Sequence, residues 1–203
     1  MRRFRRFNAA PAIARSLRLW GLVLTPMKTD PDLRQYRIAI VIGVDYKIQR
    51  FIPGLAPDDP RTVLRLRFHD FLREITGYPV DVICEEAKHG LASIAETVAD
   101  RQHIPYRNIE MSPQRRAELG IPLSFTIGVP GSEIPAEQNA QWYSLRELHM
   151  VDELLDAVAD ALVVILICRV THVPVFVEAL QTKFTRVDQY DVTKLAWFDQ
   201  TLL

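Results

Sequence analysis

Short runs rich in β-branched residues alternate with longer amphipathic runs along the chain from Tyr36 onward. The short runs have the length and composition of β-strands. The fourth is apolar at every position, as expected of a central strand that is covered on both faces. The pattern predicts five strands, at Arg37–Gly43, Val80–Glu85, Tyr106–Met111, Leu162–Cys168 and Val187–Val192.

Between these strands, apolar residues recur at the three- and four-residue spacing of a helix that is buried on one side. This spacing predicts four helices, at Val63–Ile75, Ser93–Arg101, Asn139–Ala161 and Val173–Phe184. The longest has a predicted buried stripe of Trp142, Leu145, Leu148, Val151, Leu154, Leu155 and Val158. Such alternation is typical of a single α/β domain with a mainly parallel sheet of about five strands and helices on both faces.

The first 26 residues differ in composition from the rest of the chain. They contain six arginines and no acidic residue. Three explanations remain open: a targeting segment, a twin-arginine export signal, or a start codon placed too early, with Met27 the true start. We favour the last, because Arg15 and Arg18 interrupt the apolar core that an export signal needs. Residues 1–26 are thus expected to be a basic extension, and 27–203 the α/β domain.

The overall composition is that of an ordinary globular protein. Hydrophobic residues make up 48% of the chain and charged residues 25%, and 25 basic side chains balance 25 acidic ones. These values exclude a disordered or collagen-like chain and a strongly basic nucleic-acid-binding protein. Cys84 and Cys168 lie inside apolar runs and form no C-x-x-C pair. We therefore expect no disulfide framework, no zinc ribbon and a reducing, cytoplasmic location.

Polar and ionisable side chains collect near the ends of the first four predicted strands. The carboxyl ends of parallel strands meet at one edge of a sheet, where α/β proteins bind their ligands. A bare scaffold would not require ionisable groups at each of these ends, so we expect them to form one crevice. They are Asp45, Tyr46, Lys47 and Gln49, then Glu85, Glu86, Lys88 and His89, then Arg107, Asn108 and Glu110, and finally Arg169, Thr171 and His172.

Histidine, glutamate and arginine carry the candidate chemistry. His172 is the strongest candidate, because imidazole both ligates metals and transfers protons near neutral pH. Glu85 and Glu86 are adjacent at a strand end and point to opposite faces, so we expect one of them to reach the crevice as a base or ligand. Arg146 lies beside the buried stripe of the long helix and could clamp an anion.

Each candidate also has a structural interpretation. His172 could hydrogen-bond the start of a helix. Glu86 could cap the next helix while Glu85 pairs with a basic residue. Arg146 could belong, with Glu153, to a solvated face of the helix. The sequence has no histidine spacing typical of a metal site, no glycine-rich dinucleotide fingerprint and no G-x-S-x-G, so a metal site would have to assemble across the fold.

The order of these motifs resembles that of the erythromycin esterase/ChaN/TraB–Tiki superfamily. Its members share a G-x-x-H after the first strand, one or two glutamates after the second, an arginine-bearing helix and a second G-x-x-H after a late apolar strand. The corresponding stretches, within about residues 36–197, are Gly43–Tyr46, Cys84–Glu86, the helix around Arg146, and Arg169–His172. Tyr46 replaces the first histidine of the family pattern, and Arg169 replaces the second glycine. The resemblance implies an α/β core with hydrolysis of esters or peptides, with a divalent metal in some members, or haem binding.

Two functions of different classes follow from these residues. The first is hydrolysis of an ester or amide bond in a small molecule, with His172, Glu85, Glu86 and Arg146 as catalytic residues and Tyr46, Arg107, Glu110 and Arg169 as substrate-binding residues. In it Arg146 would stabilise developing negative charge, and a divalent metal, if one is used, would be held by Glu85, Glu86 and His172. The second is a non-catalytic small-ligand-binding or regulatory domain, in which Arg169 and Tyr46 close the site.

A third possible function does not involve these residues. It is an interaction module that uses the proline-rich loops Phe51–Arg61 and Gly120–Pro135. We expect a small-molecule partner, and neither nucleic acid nor a membrane.

Overall fold

A computed structural model describes residues 37–52, 54–90, 92–122 and 135–202, which form one five-stranded sheet with helices on both faces. The basic extension 1–26 and most of the loop Gly120–Pro135 lie outside these residues. The strands are β1 (Ile38–Val44), β2 (Val82–Glu85), β3 (Tyr106–Asn108), β4 (Val163–Arg169) and β5 (Arg186–Asp191). The helices are α1 (Pro60–Ile75), α2 (Ile94–Gln102), α3 (Pro113–Glu118), α4 (Ala136–Ala157) and α5 (Val173–Gln181).

The sheet has the strand order β3-β2-β4-β1-β5, and all of its strand pairs are parallel. The apolar strand β4 lies at the centre, as its sequence predicts. It pairs with β1 from Ile38 opposite Val163 to Val44 opposite Arg169, and with β2 on its other side. The single-domain α/β fold and the parallel sheet predicted from the sequence are therefore confirmed.

Alternate residues of the strands build two separate apolar cores. Side chains of α1 and α2 pack on the first face of the sheet, together with Ile40, Ile83 and Ile165. Side chains of α4 and α5 pack on the second face, together with Cys84 and Leu166. Thus β2 leads to a helix on the first face, whereas its neighbour β4 leads to a helix on the second. The chain diverges beyond the carboxyl ends of these two strands, which is where open α/β sheets bind ligands.

The buried stripe of α4 differs from the one predicted. The structure buries Arg146, Met150, Leu154 and Val158, which follow one another at four-residue spacing. Leu148, assigned to the stripe from the sequence, is 62% exposed. Hydropathy places a leucine inside and an arginine outside, but an arginine can be buried when its charge is paired. The helix is thus rotated so that a guanidinium points toward the sheet.

The remaining differences from the sequence prediction are small. The strand ends lie within three residues of those predicted, and α1 begins at Pro60, after the side chain of Asp59 accepts the main-chain N–H of Arg61. The six-residue helix α3 was not predicted. Cys84 and Cys168 are buried and unpaired, as expected. Within the described ranges, no helix combines the length and hydropathy needed to cross a bilayer.

Replacing Arg37 should destabilise the fold from the end of the sheet opposite the candidate site. Its guanidinium donates to the main-chain oxygens of Val158 (2.5 Å), Ala159 (2.9 Å) and Ala161 (2.8 Å), which close the C-terminal end of α4. It also lies 4.6 Å from the ring centre of Phe184. Because a charged donor that caps a helix end is worth a few hydrogen bonds, Arg37→Ala should lower the free energy of unfolding by about 2 kcal/mol.

Urea denaturation measures this free energy. Arg37→Lys should lose part of the stability, because lysine lacks the planar fork of donors. Arg115→Ala is the control, since Arg115 forms an exposed pair with Glu118 on α3 and its loss should cost under about 0.5 kcal/mol. An Arg37→Ala variant as stable as the Arg115→Ala control would contradict this assignment.

Candidate functional site

Glu86 lies at the point where the chain diverges, directly after β2. Its main-chain N–H donates to Ile167 O of β4 (2.8 Å), which holds the residue against the central strand. Strand alternation directs its side chain to the second face, beneath α4. Its Oε2 accepts the main-chain N–H of Arg169 (3.0 Å), and its Oε1 accepts Nη2 of Arg146 (2.7 Å). The carboxylate is therefore held by donors from β4 and α4.

Arg146 joins Glu86 to a second buried carboxylate, that of Glu110. Its Nε donates to Glu110 Oε1 (2.8 Å), and its Nη2 donates to Glu110 Oε2 as well as to Glu86. Arg116 of α3 donates to the same Glu110 Oε1 (2.8 Å). We call Glu86, Glu110, Arg116 and Arg146 the buried ion cluster. It ties α3 and α4 to the ends of β2 and β3.

The cluster keeps its charges through mutual pairing. Burial alone would raise the pKa of Glu110, but the hydrogen bonds and charges of Arg146 and Arg116 outweigh burial and hold that pKa below its usual value. Burial likewise disfavours the charged form of Arg146, but Glu110 and Glu86 raise its pKa above the usual range. Two carboxylates and two guanidinium groups thus neutralise one another, and only Arg116 is partly exposed to water.

His172 lies next to the cluster, in the 3-10 turn Val170–His172 between β4 and α5. The turn packs so closely on β1 that a Cβ added at Gly43 would lie 2.8 Å from Val173 Cγ2. The imidazole is buried, with Nδ1 3.1 Å from Glu147 Oε1 and Nε2 3.8 Å from Glu86 Oε1. The ring of Tyr143 stacks on it at 5.5 Å. The predicted approach of His172, Glu86 and Arg146 is therefore present.

Arg169 occupies the outer side of Glu86. Its Nε lies 3.2 Å from Glu86 Oε1, and its guanidinium lies 5.8 Å from the ring centre of Tyr46. Unlike Arg146, the Arg169 side chain is 46% exposed. Tyr46 is also exposed, at 53%. This pair forms the exposed part of the site, and the buried ion cluster lies beneath it.

Glu85 does not join the site, because alternation directs it to the first face. Its Oε2 accepts the hydroxyl of Tyr106 (2.7 Å) and that of Ser93, the N-cap residue of α2. Its Oε1 is buried and has no hydrogen-bond partner among the described residues. The expected metal set of Glu85, Glu86 and His172 is therefore not assembled. No group of three or more His, Cys, Asp or Glu side chains suited to a metal occurs within the described ranges.

Of the predicted residues Glu110 and Arg107, one belongs to the site and the other does not. Glu110 belongs to the buried ion cluster, whereas Arg107 points along the second face to Glu153 on α4 (2.6 Å) and stays outside it. Glu147, Tyr143 and Arg116 contact the site and were not predicted. Glu147 is adjacent to Arg146 in the sequence, but nothing in its spacing shows that a helix places it on an imidazole 25 residues away.

The arrangement limits the chemistry of the site. Each carboxylate oxygen of Glu86 and Glu110 already accepts at least one hydrogen bond from arginine or the main chain. A general base must have a free lone pair for the substrate proton. Nε2 of His172 lies 3.8 Å from Glu86 Oε1 and 3.4 Å from the hydroxyl of Tyr143, so its contacts are longer than those of the two carboxylates.

Replacing Arg146 with methionine should be strongly destabilising, because it leaves two carboxylates buried without their shared partner. Breaking a buried ion pair in this way costs about 3–5 kcal/mol, measured as the free energy of unfolding in urea. The triple variant Arg146→Met, Glu86→Gln, Glu110→Gln should recover part of that loss, since it leaves no unpaired charge. A loss below about 1 kcal/mol for Arg146→Met would show that the cluster does not stabilise the fold.

Glu85 should make stability depend on pH near neutrality. Burial raises its pKa from 4.5 to about 7, although hydrogen bonds from Ser93 and Tyr106 oppose the shift. The folded protein therefore holds this proton more tightly than the unfolded chain. Its contribution to stability is full below about pH 4.5 and falls as the pH rises to about 7, by a few kcal/mol.

Glu85→Gln should remove this slope, so that the variant gains stability relative to the original chain as the pH rises from 4.5 to 8. Urea denaturation at a series of pH values measures the difference in the free energy of unfolding between Glu85→Gln and the original chain. The contributions of the other titrating groups cancel in this difference. Glu178→Gln, a change at an exposed position on α5, is the control. A difference between Glu85→Gln and the original chain that does not vary with pH would contradict the assignment.

Comparisons of the chain with family models, with curated proteins and with solved structures find no match.

Proposed function

We propose that this chain binds a small-molecule ligand at the carboxyl edge of β2 and β4 and does not transform it, as a ligand-binding or regulatory domain. The observation that carries the proposal is the ion pair between Arg169 and Glu86. It places an arginine on the carboxylate that a hydrolase would use as its base. The residues suited to catalysis are thereby bonded to one another, while Arg169 and Tyr46 remain exposed to a ligand.

The location supports binding as well. The edge lies where β2 and β4 lead to helices on opposite faces, and loops from β1, β2 and β4 meet there. The side-chain amide of Gln49, after β1, donates to Glu86 O (3.2 Å), and Gln49 O accepts the N–H of Ile94 in α2 (2.8 Å). These bonds hold the loops after β1 and β2 against each other and against the start of α2. Such preorganisation lowers the entropy cost of binding.

Hydrolysis of an ester or amide is the second candidate, and the contact between His172 and Glu147 favours it. A carboxylate at Nδ1 fixes the tautomer that leaves Nε2 as a base, as in a nucleophile–histidine–acid arrangement. The resemblance in motif order to the erythromycin esterase/ChaN/TraB–Tiki superfamily points the same way. Against it stands the burial of His172 beneath Tyr143. The proposed partner is a small molecule in both cases.

The proposed compartment is the cytoplasm, because both cysteines are buried and unpaired. Neither a nucleic acid nor a membrane surface is proposed as partner. The 25 basic and 25 acidic side chains balance over the whole chain, which gives no excess of positive charge for a phosphate backbone or an anionic bilayer.

Three probes with the same ring and different charges test the binding proposal: benzoate, benzamide and benzylamine. At least one should raise the melting temperature saturably, by a few degrees at a hundred times its dissociation constant. Tyr46→Ala should reduce the effect, because Tyr46 forms the exposed surface of the site. Leu148→Ala, which removes an exposed side chain from α4, should not. If none of the three probes shifts the melting temperature, the binding proposal is wrong.

Turnover of 4-nitrophenyl acetate separates the two candidates. Under the binding proposal, the original chain and His172→Ala should release 4-nitrophenol at the same slow rate. A rate that depends on His172 and saturates with substrate would instead establish hydrolysis. Circular dichroism of the His172→Ala variant checks that a lost rate does not reflect unfolding.

A further inference from the structure

We infer that the ligand is a small organic anion, and that Arg169 receives its carboxylate or phosphate group. This inference rests on the proposed binding function and specifies the chemistry of the ligand. The supporting evidence is the set of charged side chains at this edge that have no partner of opposite charge within the described part of the chain. The four charges of the buried ion cluster pair with one another, so they offer nothing to a ligand.

Two lysines add positive charge to this edge. Lys47 follows β1, Lys88 follows β2, and both are exposed. Neither has a carboxylate partner among the residues that the structure describes. Asp45, in the same loop as Lys47, adds a carboxylate to this edge, and its Oδ1 accepts the main-chain N–H of Lys47 (2.8 Å). Since β2, β4 and β1 are consecutive in the sheet, these cations and Arg169 surround the same edge.

The contacts of Arg169 fix the position of its guanidinium group and leave one side of it open to an anion. Its main-chain N–H and its Nε both contact Glu86, at 3.0 and 3.2 Å, and its guanidinium carbon lies over the ring of Tyr46, 5.8 Å from the ring centre. These contacts use the Nε side of the group. The two terminal nitrogens have no partner among the described residues, and the side chain is 46% exposed. Terminal guanidinium nitrogens match the two oxygens of a carboxylate or phosphate.

The same contacts argue against a cationic ligand. A cation could pair with Glu86 only by displacing Arg169, and the charges of Lys47 and Lys88 would oppose its entry. It would also leave the guanidinium without its carboxylate. An anion needs no displacement, because it approaches the unused side of a group that is already oriented. Holding an arginine side chain in advance removes much of the entropy that binding would otherwise cost.

Titration at a constant 150 mM ionic strength, followed by amide and arginine Nε–H resonances in nuclear magnetic resonance spectra, tests the inference. The probes are inorganic phosphate and acetate, together with benzoate and its neutral counterpart benzamide. We expect saturable chemical-shift changes with at least one of the three anions. The arginine Nε–H resonance that is absent in the spectrum of Arg169→Gln should be among the resonances that shift. Phosphate and acetate distinguish the two anion chemistries. Affinity should fall at least about tenfold in Arg169→Gln.

Two further variants make the result specific. Arg169→Lys keeps the charge but loses the paired donors, so it should bind more weakly than the original chain. Arg115→Gln removes an equally exposed arginine, 51% against 46%, that pairs with a carboxylate on α3, and it should bind as the original chain does. Unchanged anion affinity in Arg169→Gln, or shifts without saturation for all three anions, overturns the inference.

The test separates this inference from the proposed function. If benzamide or benzylamine binds in a manner that depends on Tyr46 while no anion binds, the edge is a ligand site but its ligand is not an anion. If none of the probes binds, both proposals fall. Melting temperatures of Arg169→Gln and Arg169→Lys without ligand check that both variants are folded.

Discussion

The burial of Arg146 is the constraint on which the arrangement of the site depends. A guanidinium that is taken out of water must be paired, and its two carboxylate partners come from the segments that follow β2 and β3. The pairing fixes how far α4 is rotated and where α3 lies, since Arg116 of α3 shares Glu110. Neither helix can shift without breaking a buried ion pair. The edge is therefore stiff at its base and adaptable only at its surface.

This stiffness determines which chemistry the exposed residues can perform. Glu86 holds Arg146 on one side and Arg169 on the other, so its charge is already shared when a ligand arrives. A carboxylate with these partners serves as an anchor for an arginine. His172 lies nearby, and its Nδ1 contacts the carboxylate of Glu147. Acid–base chemistry at this imidazole would require the stacked ring of Tyr143 to move. Binding is thus supported by the resting geometry, whereas hydrolysis would require a rearrangement.

The sequence predicts the fold better than the site, for identifiable reasons. The all-apolar pattern of β4 depends on burial of both faces, so its central place could be read from composition alone. The rotation of α4 could not, because a hydropathy pattern treats Leu148 as the buried residue and Arg146 as the exposed one. Pairing across the fold reverses that order. Glu147 and Arg116 were missed for the same reason, since their partners are distant in the sequence.

Glu85 and Glu86 show how far a local pattern can lead. They are identical side chains, one peptide apart, and alternation correctly places only one of them at the site. The partners of each then depend on what its face supplies. Glu86 meets two arginines and a main-chain N–H, whereas Glu85 meets only the hydroxyls of Ser93 and Tyr106, and burial raises its pKa. A paired carboxylate motif in a sequence therefore indicates where chemistry can occur, but the opposing helices decide which member carries it.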